Sequence, residues 1–359
     1  MNHIYEIFGT DAHEMTRALM EAADVIRQIP TGASVALKPN LVKTATADQG
    51  AITHPGVLSG CISYLKEHGI TDISVIESSW VGDRTDRAFQ VSSYEEVCRR
   101  YEVPFYDLKK DKIKSVDTPD GPIAICRRAL ETDFLIDLPV LKGHCQTVMT
   151  CALKNLKGCI PDREKRRFHV RGLTRPIAAL ASVLKPQLVI VDSICGDLSF
   201  EEGGNPVQTN RMYLGWDAVQ IDAYGCRLMG LDVSDVEYLP LAAEWGAGEL
   251  AIAEDTVIAL NEPQAGEVYT NSSSQVRTLT KHVHADSACS ACYASLVRAL
   301  YTLQTEGKPF AGDLYIGQGW RQKAVNGIGI GNCCRGAEVC VKGCPPTAQE
   351  IRAALAGKR

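Results

Sequence analysis

Blocks of apolar positions at two different spacings divide the first two thirds of this chain into helices and strands. Residues 11–28 place apolar side chains at helical spacing and run into a turn at Pro30-Thr31-Gly32. Ser34 to Leu37 then reads as a buried strand that ends at Lys38-Pro39-Asn40. After a polar loop from Thr44 to Gln49, Thr53 is the expected N-cap of a helix, with Pro55 in its first turn. That helix, Gly56 to His68, stops at Gly69, and Ile73 to Ile76 forms the next strand. A strand–helix–strand succession predicts a parallel sheet with right-handed crossovers.

The alternation resumes downstream. Asp133 to Leu138 reads as a strand, followed by a loop rich in Lys and His. Leu173 to Leu184 is a helix, Leu188 to Val191 a strand ending at Asp192, and Asp217 to Met229 a helix closed by Gly230-Leu231. Beyond about residue 262 the pattern gives way to polar loops and then to cysteines. The chain therefore reads as two domains. Residues 1–262 form an α/β domain with a mostly parallel sheet flanked by helices, and 263–359 form a smaller Cys-rich α+β domain. A length of 359 residues suits that division.

Composition narrows the function classes. Apolar residues at 45% and charged residues at 23% are those of an ordinary globular protein. A net charge of −5 gives no nucleic-acid footprint. No apolar run is long enough to span a bilayer. The opening residues lack a basic stretch followed by an apolar one, so no signal peptide is expected. Fourteen cysteines without an export signal point to a reducing cytoplasm, where metal binding is favoured over disulfides.

Six of those cysteines crowd the last quarter. Cys289 and Cys292 form a Cys-x-x-Cys, and Cys333, Cys334, Cys340 and Cys344 follow in a stretch that ends Gly-Cys-Pro-Pro. Four thiolates hold one 4Fe-4S cluster. Cys289, Cys292 and Cys344 are the expected ligands, and the fourth is one of Cys333, Cys334 and Cys340. Adjacent Cys333 and Cys334 point apart on an extended chain, so one of the two binds. Zinc is the alternative metal, since Cys₄ zinc sites also use Cys-x-x-Cys.

A second constellation gathers at predicted strand ends. Lys38 and Asn40 close one strand, His54 opens a helix, and Asp192 ends a later strand. His144, Lys154, Asn155, Lys157 and His169 follow the strand at 133–138. In open α/β sheets the ligand crevice lies beyond the carboxyl ends of the strands. Lysines, amides and histidines there suit a small anion, with His144 or His169 moving a proton and Lys38, Lys154 and Lys157 holding charge. The bland readings are a solvated face for Arg163 to Arg167 and capping roles for the histidines. No Walker loop, no nucleophile elbow and no dinucleotide fingerprint is present.

Several stretches carry a family resemblance. Lys38-Pro39-Asn40-Leu41-Val42, Thr53-His54-Pro55, Ile76-Glu77-Ser78-Ser79, Leu141-Lys142-Gly143-His144 and Ala152-Leu153-Lys154-Asn155-Leu156-Lys157-Gly158 resemble the DUF362 family over roughly residues 30–250. So does Val191-Asp192-Ser193 followed by a helix containing Asp222-Ala223. The resemblance implies an uncharacterised group often associated with 4Fe-4S centres. Many members carry ferredoxin-type cysteine repeats, whereas this chain has one Cys-x-x-Cys and a separate tail, which favours a single cluster. A fainter similarity to the nickel-dependent lactate racemase group rests on the order of His144, Lys154 and His169. The expectation is a cytoplasmic iron–sulfur protein, an oxidoreductase acting on a small anionic molecule. The alternatives are an electron-transfer or cluster-delivery protein working with a redox partner, or a structural zinc protein.

Overall fold

The computed structural model describes residues 3–197, 206–229, 231–253, 256–262, 278–288 and 290–357. Eight strands form the main sheet: β1 (Ile4–Phe8), β2 (Val35–Pro39), β3 (Ile73–Glu77), β4 (Phe105–Asp107), β5 (Phe134–Leu138), β6 (Leu188–Gly196), β7 (Val207–Gly215) and β8 (Val257–Ala259). Their order is β8-β1-β7-β6-β5-β2-β3-β4. The run from β6 to β4 is parallel throughout, as the strand–helix alternation predicts. At the other end β7 lies antiparallel to both β6 and β1, so the sheet is mixed.

Helices cover both faces, and a separate apolar core fills each side. α1 (Ala12–Ala22) and α2 (Pro55–Glu67) pack on one face. α3 (Ala152–Asn155), α4 (Asp162–Val170), α5 (Thr174–Val183) and α6 (Ala218–Leu228) contribute to the core on the other. Strands β2 and β5, buried along their whole length, are the apolar centre expected of a doubly covered parallel sheet.

Three local expectations change. The N-cap of α2 is His54, whose Nδ1 accepts from the Gly56 amide at 3.0 Å. Thr53 instead sends its hydroxyl to the Leu138 carbonyl at 2.6 Å, tying the loop to β5. The first helix ends at Ala22, and Val25–Gln28 is a separate 3-10 turn. Finally, β6 continues past Asp192 to Gly196, because pairing with β7 carries it on.

The C-terminal residues build their own core on a four-stranded parallel sheet: β9 (Val283–Ala285), β10 (Leu314–Ile316), β11 (Val325–Ile330) and β12 (Ala337–Val341), in that order. α7 (Ser290–Thr305) and α8 (Ala348–Ala356) close it, with Leu296, Leu300 and Ile351 packed on Leu314, Ile316 and Ile330. The boundary expected at 262 adjoins residues 263–277, which lie outside the described residues. The two units touch where Gln146 Nε2 donates to the Ala288 carbonyl at 2.9 Å and Val297 packs against Cys145 and Tyr293. No described helix is long and apolar enough to cross a membrane.

Candidate functional site

Strand order positions the site. From β2 the chain proceeds outward to β3 and β4, then returns to place β5 on the other side of β2. The carboxyl ends of β2 and β5 thus form a topological switch point, where a crevice opens. Here Lys38 of β2 lies in register with Asp137 of β5, and Glu77 ends β3 beside them.

Lys38 is fully buried and donates to Glu77 Oε2 at 2.6 Å, to the Pro39 carbonyl at 2.9 Å and to Asn155 Oδ1 at 3.2 Å. Burial pulls its ammonium down, but the charge and hydrogen bond of Glu77 together with the other acidic groups around it outweigh this and hold it above the ordinary lysine value. Asn155 also donates to Asp137 Oδ1 at 2.8 Å, so a lysine, an amide and two carboxylates form one buried network. Burial raises the Asp137 carboxyl to about 8, which makes it predominantly protonated near neutrality.

Gly158 explains why the Ala-Leu-Lys-Asn-Leu-Lys-Gly stretch ends as it does. A Cβ there would lie 1.9 Å from Glu77 Oε1 and 2.7 Å from Lys38 Nζ. We expect Gly158→Ala to force the ion pair apart and cost about 1–3 kcal/mol, read by denaturant unfolding. A wild-type midpoint in that variant would show that the pair tolerates displacement.

Around this network lies a cavity of about 240 Å³, bounded by both domains. The α/β domain contributes Asn40, Lys43, Trp80, Thr150, Lys154, Asn155, Lys157, Lys165, Arg166 and His169. The cysteine domain contributes Cys292, Gln318, Arg321, Cys333 and Cys344. Among the described lining residues Glu77 is the sole acidic side chain, and it is paired with Lys38.

The structure therefore brings together Asn40, Lys154, Asn155, Lys157 and His169, with Lys157 Nζ 3.4 Å from His169 Nε2. Lys38 stands behind the wall within the ion pair. Three other expected residues do not line the cavity. His144 Nδ1 accepts from the amides of Gln146 (3.1 Å) and Thr147 (3.0 Å), which shapes the hairpin between Lys142–His144 and Val148–Thr150. His54 caps α2. Asp192 accepts from the amides of His54 (2.7 Å) and Ile194 (3.0 Å), bracing the loop after β2, and burial raises its carboxyl.

Several lining or bracing residues escaped sequence reasoning. Lys165 sits in a basic run that reads as a solvated face, yet it is buried and donates to Ser78 Oγ (2.6 Å), the Ser78 carbonyl (3.0 Å) and the Ser79 carbonyl (2.7 Å). Burial lowers its ammonium to about 8. Helical spacing gives the signal in retrospect: Lys165 falls between buried Glu164 and Phe168, while Arg163, Arg166 and Arg167 are exposed. Asp222 and Lys142, present in the resemblance motifs without an assigned role, prove to be bracing residues: Asp222 caps α3 through the amides of Ala152 (2.7 Å) and Leu153 (3.2 Å), and Lys142 donates to the Ala51 carbonyl at 2.6 Å. Arg321 carries no local signal at all.

The cysteines divide by orientation. Cys292, Cys333 and Cys344 border the cavity. Cys333 and Cys344 flank a joint in which the Asn332 amide donates to the Gly343 carbonyl at 2.8 Å. Cys334 is buried with its thiol toward the Gly317 carbonyl at 3.9 Å, and the Cys340 thiol donates to the Gly331 carbonyl at 3.5 Å. Cys289 lies outside the described residues. Among the described residues no three His, Cys, Asp or Glu side chains are grouped so as to hold a single metal ion. Three thiols border one cavity from separate segments, and thiols are the donor type that inorganic iron–sulfur clusters use. Gly331 beside Cys292 adopts φ +84°, a left-handed conformation that favours glycine.

A switch-point crevice with a buried Lys–Glu–Asn–Asp network defines this as an α/β protein with a built, cation-lined site. Residues 35–227 match the model of the DUF362 family, described as a domain of unknown function, and the chain belongs to that family. A thylakoid-associated protein of Synechocystis is 23% identical over 245 residues, covering 66% of this chain and 74% of that protein. Among solved structures, the lactate racemase apoprotein of Thermoanaerobacterium thermosaccharolyticum matches with a TM-score of 0.43 at 14% identity over 65% of this chain. A Thermotoga maritima protein matches with a TM-score of 0.37 at 12% identity over 66% of this chain. The match spans 57% of the first of those two chains and 60% of the second.

Proposed function

We propose that this protein binds one 4Fe-4S cluster through the thiols of its C-terminal domain and acts as an oxidoreductase on a small anion held in the interdomain cavity. One observation carries the reading: Cys292, Cys333 and Cys344 border the same cavity as Lys154, Lys157 and His169. An electron-transfer or cluster-delivery protein would have no need of a cation-lined chamber facing its ligands.

Cys292, Cys333 and Cys344, with Cys289, would hold the cluster, which when bound would supply one-electron chemistry. The chain's own residues do the remainder. Lys154 and Lys157 neutralise the anion's charge. Lys157 and His169 stand close enough to pass a proton between ring nitrogen and ammonium, which suits His169 to proton transfer at the bound molecule. Lys165 holds the Ser78-Ser79 turn, and with it the end of β3, in place.

Lys154→Ala is expected to abolish anion binding and turnover while leaving the visible absorption of the anaerobically purified protein unchanged. Full anion affinity in that variant would refute the cavity assignment. Iron, sulfide and zinc analysis of the same preparation tests the cofactor. About four irons and four sulfides per chain support it, whereas one zinc and no colour would make the tail structural.

A further inference from the structure

The parallel sheet of the C-terminal domain has two unlike faces. Leu314, Ile316, Ile328 and Ile330 turn toward α7 and α8. Tyr315, Gly329 and Cys340, which alternate with such residues in β10, β11 and β12, therefore point the other way. Parallel neighbours need crossovers, and residues 317–324 and 331–336 make them over this second face. A Cβ on Gly329 would lie 2.5 Å from the Cys334 carbonyl oxygen, and one on Gly336 2.2 Å from that of Lys323. Together with residues 342–346 after β12, these connections carry Arg321, Lys323, Arg335 and Lys342 and no carboxylate. The whole chain has a net charge of −5, so the sign reverses locally here.

Lys323 is compensated by Asp286 at 3.7 Å. Arg335 and Lys342 differ: both are exposed, and among the described residues neither forms an ion pair. Burial raises the Cys340 thiol, and the charges of Lys342 and Arg335 both oppose that rise, so the two cations stand about one group. Glu338 of β12 is exposed and pairs with neither. Arg335 also borders an outer hollow, bounded by this domain alone, that reaches Cys333 and Cys344. Those two thiols thus border the hollow on one side and the interdomain cavity on the other.

Resting on the proposed oxidoreductase, we infer that this outer face docks an acidic one-electron carrier protein. The substrate meets the thiols from the inner cavity, and the hollow is their second approach. In each encounter the reduced carrier is oxidised by one electron and the thiolate-held centre is reduced by one; no atom moves. Such complexes are small and transient, and charge around the contact selects the partner. A carrier with carboxylates around its own cofactor complements Arg335 and Lys342, whereas a basic carrier is repelled.

Titration of the anaerobically purified full chain tests this with two acidic carriers, a plant-type 2Fe-2S ferredoxin and a flavodoxin, and with basic cytochrome c as the counter-probe. The expected result is binding of an acidic carrier that weakens about tenfold or more between low and high salt. Arg335→Glu with Lys342→Glu is expected to weaken it by a similar factor. Arg99→Glu with Arg100→Glu makes the same change of charge on the helix Tyr94–Tyr101 of the other domain and is expected to leave binding unchanged. Failure of both acidic carriers to bind, equal binding of cytochrome c, or equal weakening by the two double variants would overturn the inference. So would binding of phosphatidylglycerol vesicles in place of the carriers, which marks the face as a membrane-surface site. Binding is read without turnover, so the two readings separate. If the carriers fail while Lys154→Ala still removes anion binding, only the docking face falls. Protein without iron and sulfide that still binds a carrier through Arg335 and Lys342 keeps the docking face and removes the cluster.

Discussion

Replacing Cys292, Cys333 or Cys344 by Ser is expected to strip most of the iron and visible colour from anaerobically purified protein, whereas Cys334→Ser and Cys340→Ser retain both. The reason is orientation. The first three thiols border the interdomain cavity, while those of Cys334 and Cys340 are turned to backbone carbonyls of their own domain. Serine at those two positions keeps a hydrogen-bond donor where the thiol donated, so the turns they brace survive. A cluster short of one thiolate loses either the whole cofactor or one iron, and quantitative iron analysis separates the two. Retention of full iron in Cys333→Ser with loss in Cys340→Ser would reverse the assignment of the fourth ligand. Circular dichroism of each variant distinguishes cofactor loss from unfolding of the last domain.

Glu77→Ala is expected to cost about 3–5 kcal/mol of stability, because it leaves the fully buried Lys38 ammonium without its counter-charge. Lys38 would retain only the Pro39 carbonyl and Asn155 as acceptors. The opposite change, removing both charges in Lys38→Met with Glu77→Leu, is expected to recover most of that loss. Apolar groups of similar volume avoid the desolvation that the pair must offset. Urea unfolding of the single and double variants measures the difference. If Glu77→Ala unfolds within about 1 kcal/mol of wild type, the site is wetter than its burial indicates and Lys38 sheds its proton instead. The double variant is also expected to bind anions poorly even where it folds well. The network orients Asn155, which lines the cavity and holds the Lys38 and Asp137 side chains at the switch point. Stability and binding would then separate within one pair of substitutions.

The periodicity of the chain anticipated β2, α2, β3, β5, α5 and α6 within a residue or two of where they form, and with them the parallel heart of the sheet. Burial on one face of a helix or both faces of a strand repeats at a local spacing, so neighbouring residues carry that information. The same logic put Lys38, Asn40, Lys154 and Asn155 at strand ends, because chain turns and sheet crevices coincide. The antiparallel β7 and β1 went unread, since their pairing depends on partners far along the chain.

The sequence by itself determined the element types, the crowding of cysteines in the tail and the basic groups beyond the strands. Only the tertiary structure decided that Lys38 faces Glu77 and Asn155, the latter 117 residues away, and that Lys165 is buried against the end of β3. It alone turned Cys334 and Cys340 to carbonyls and brought Cys292, Cys333 and Cys344 to the cavity of Lys154. Local spacing encodes which face of an element is buried. What that face meets follows from strand order and domain contact, and these depend on the whole chain at once.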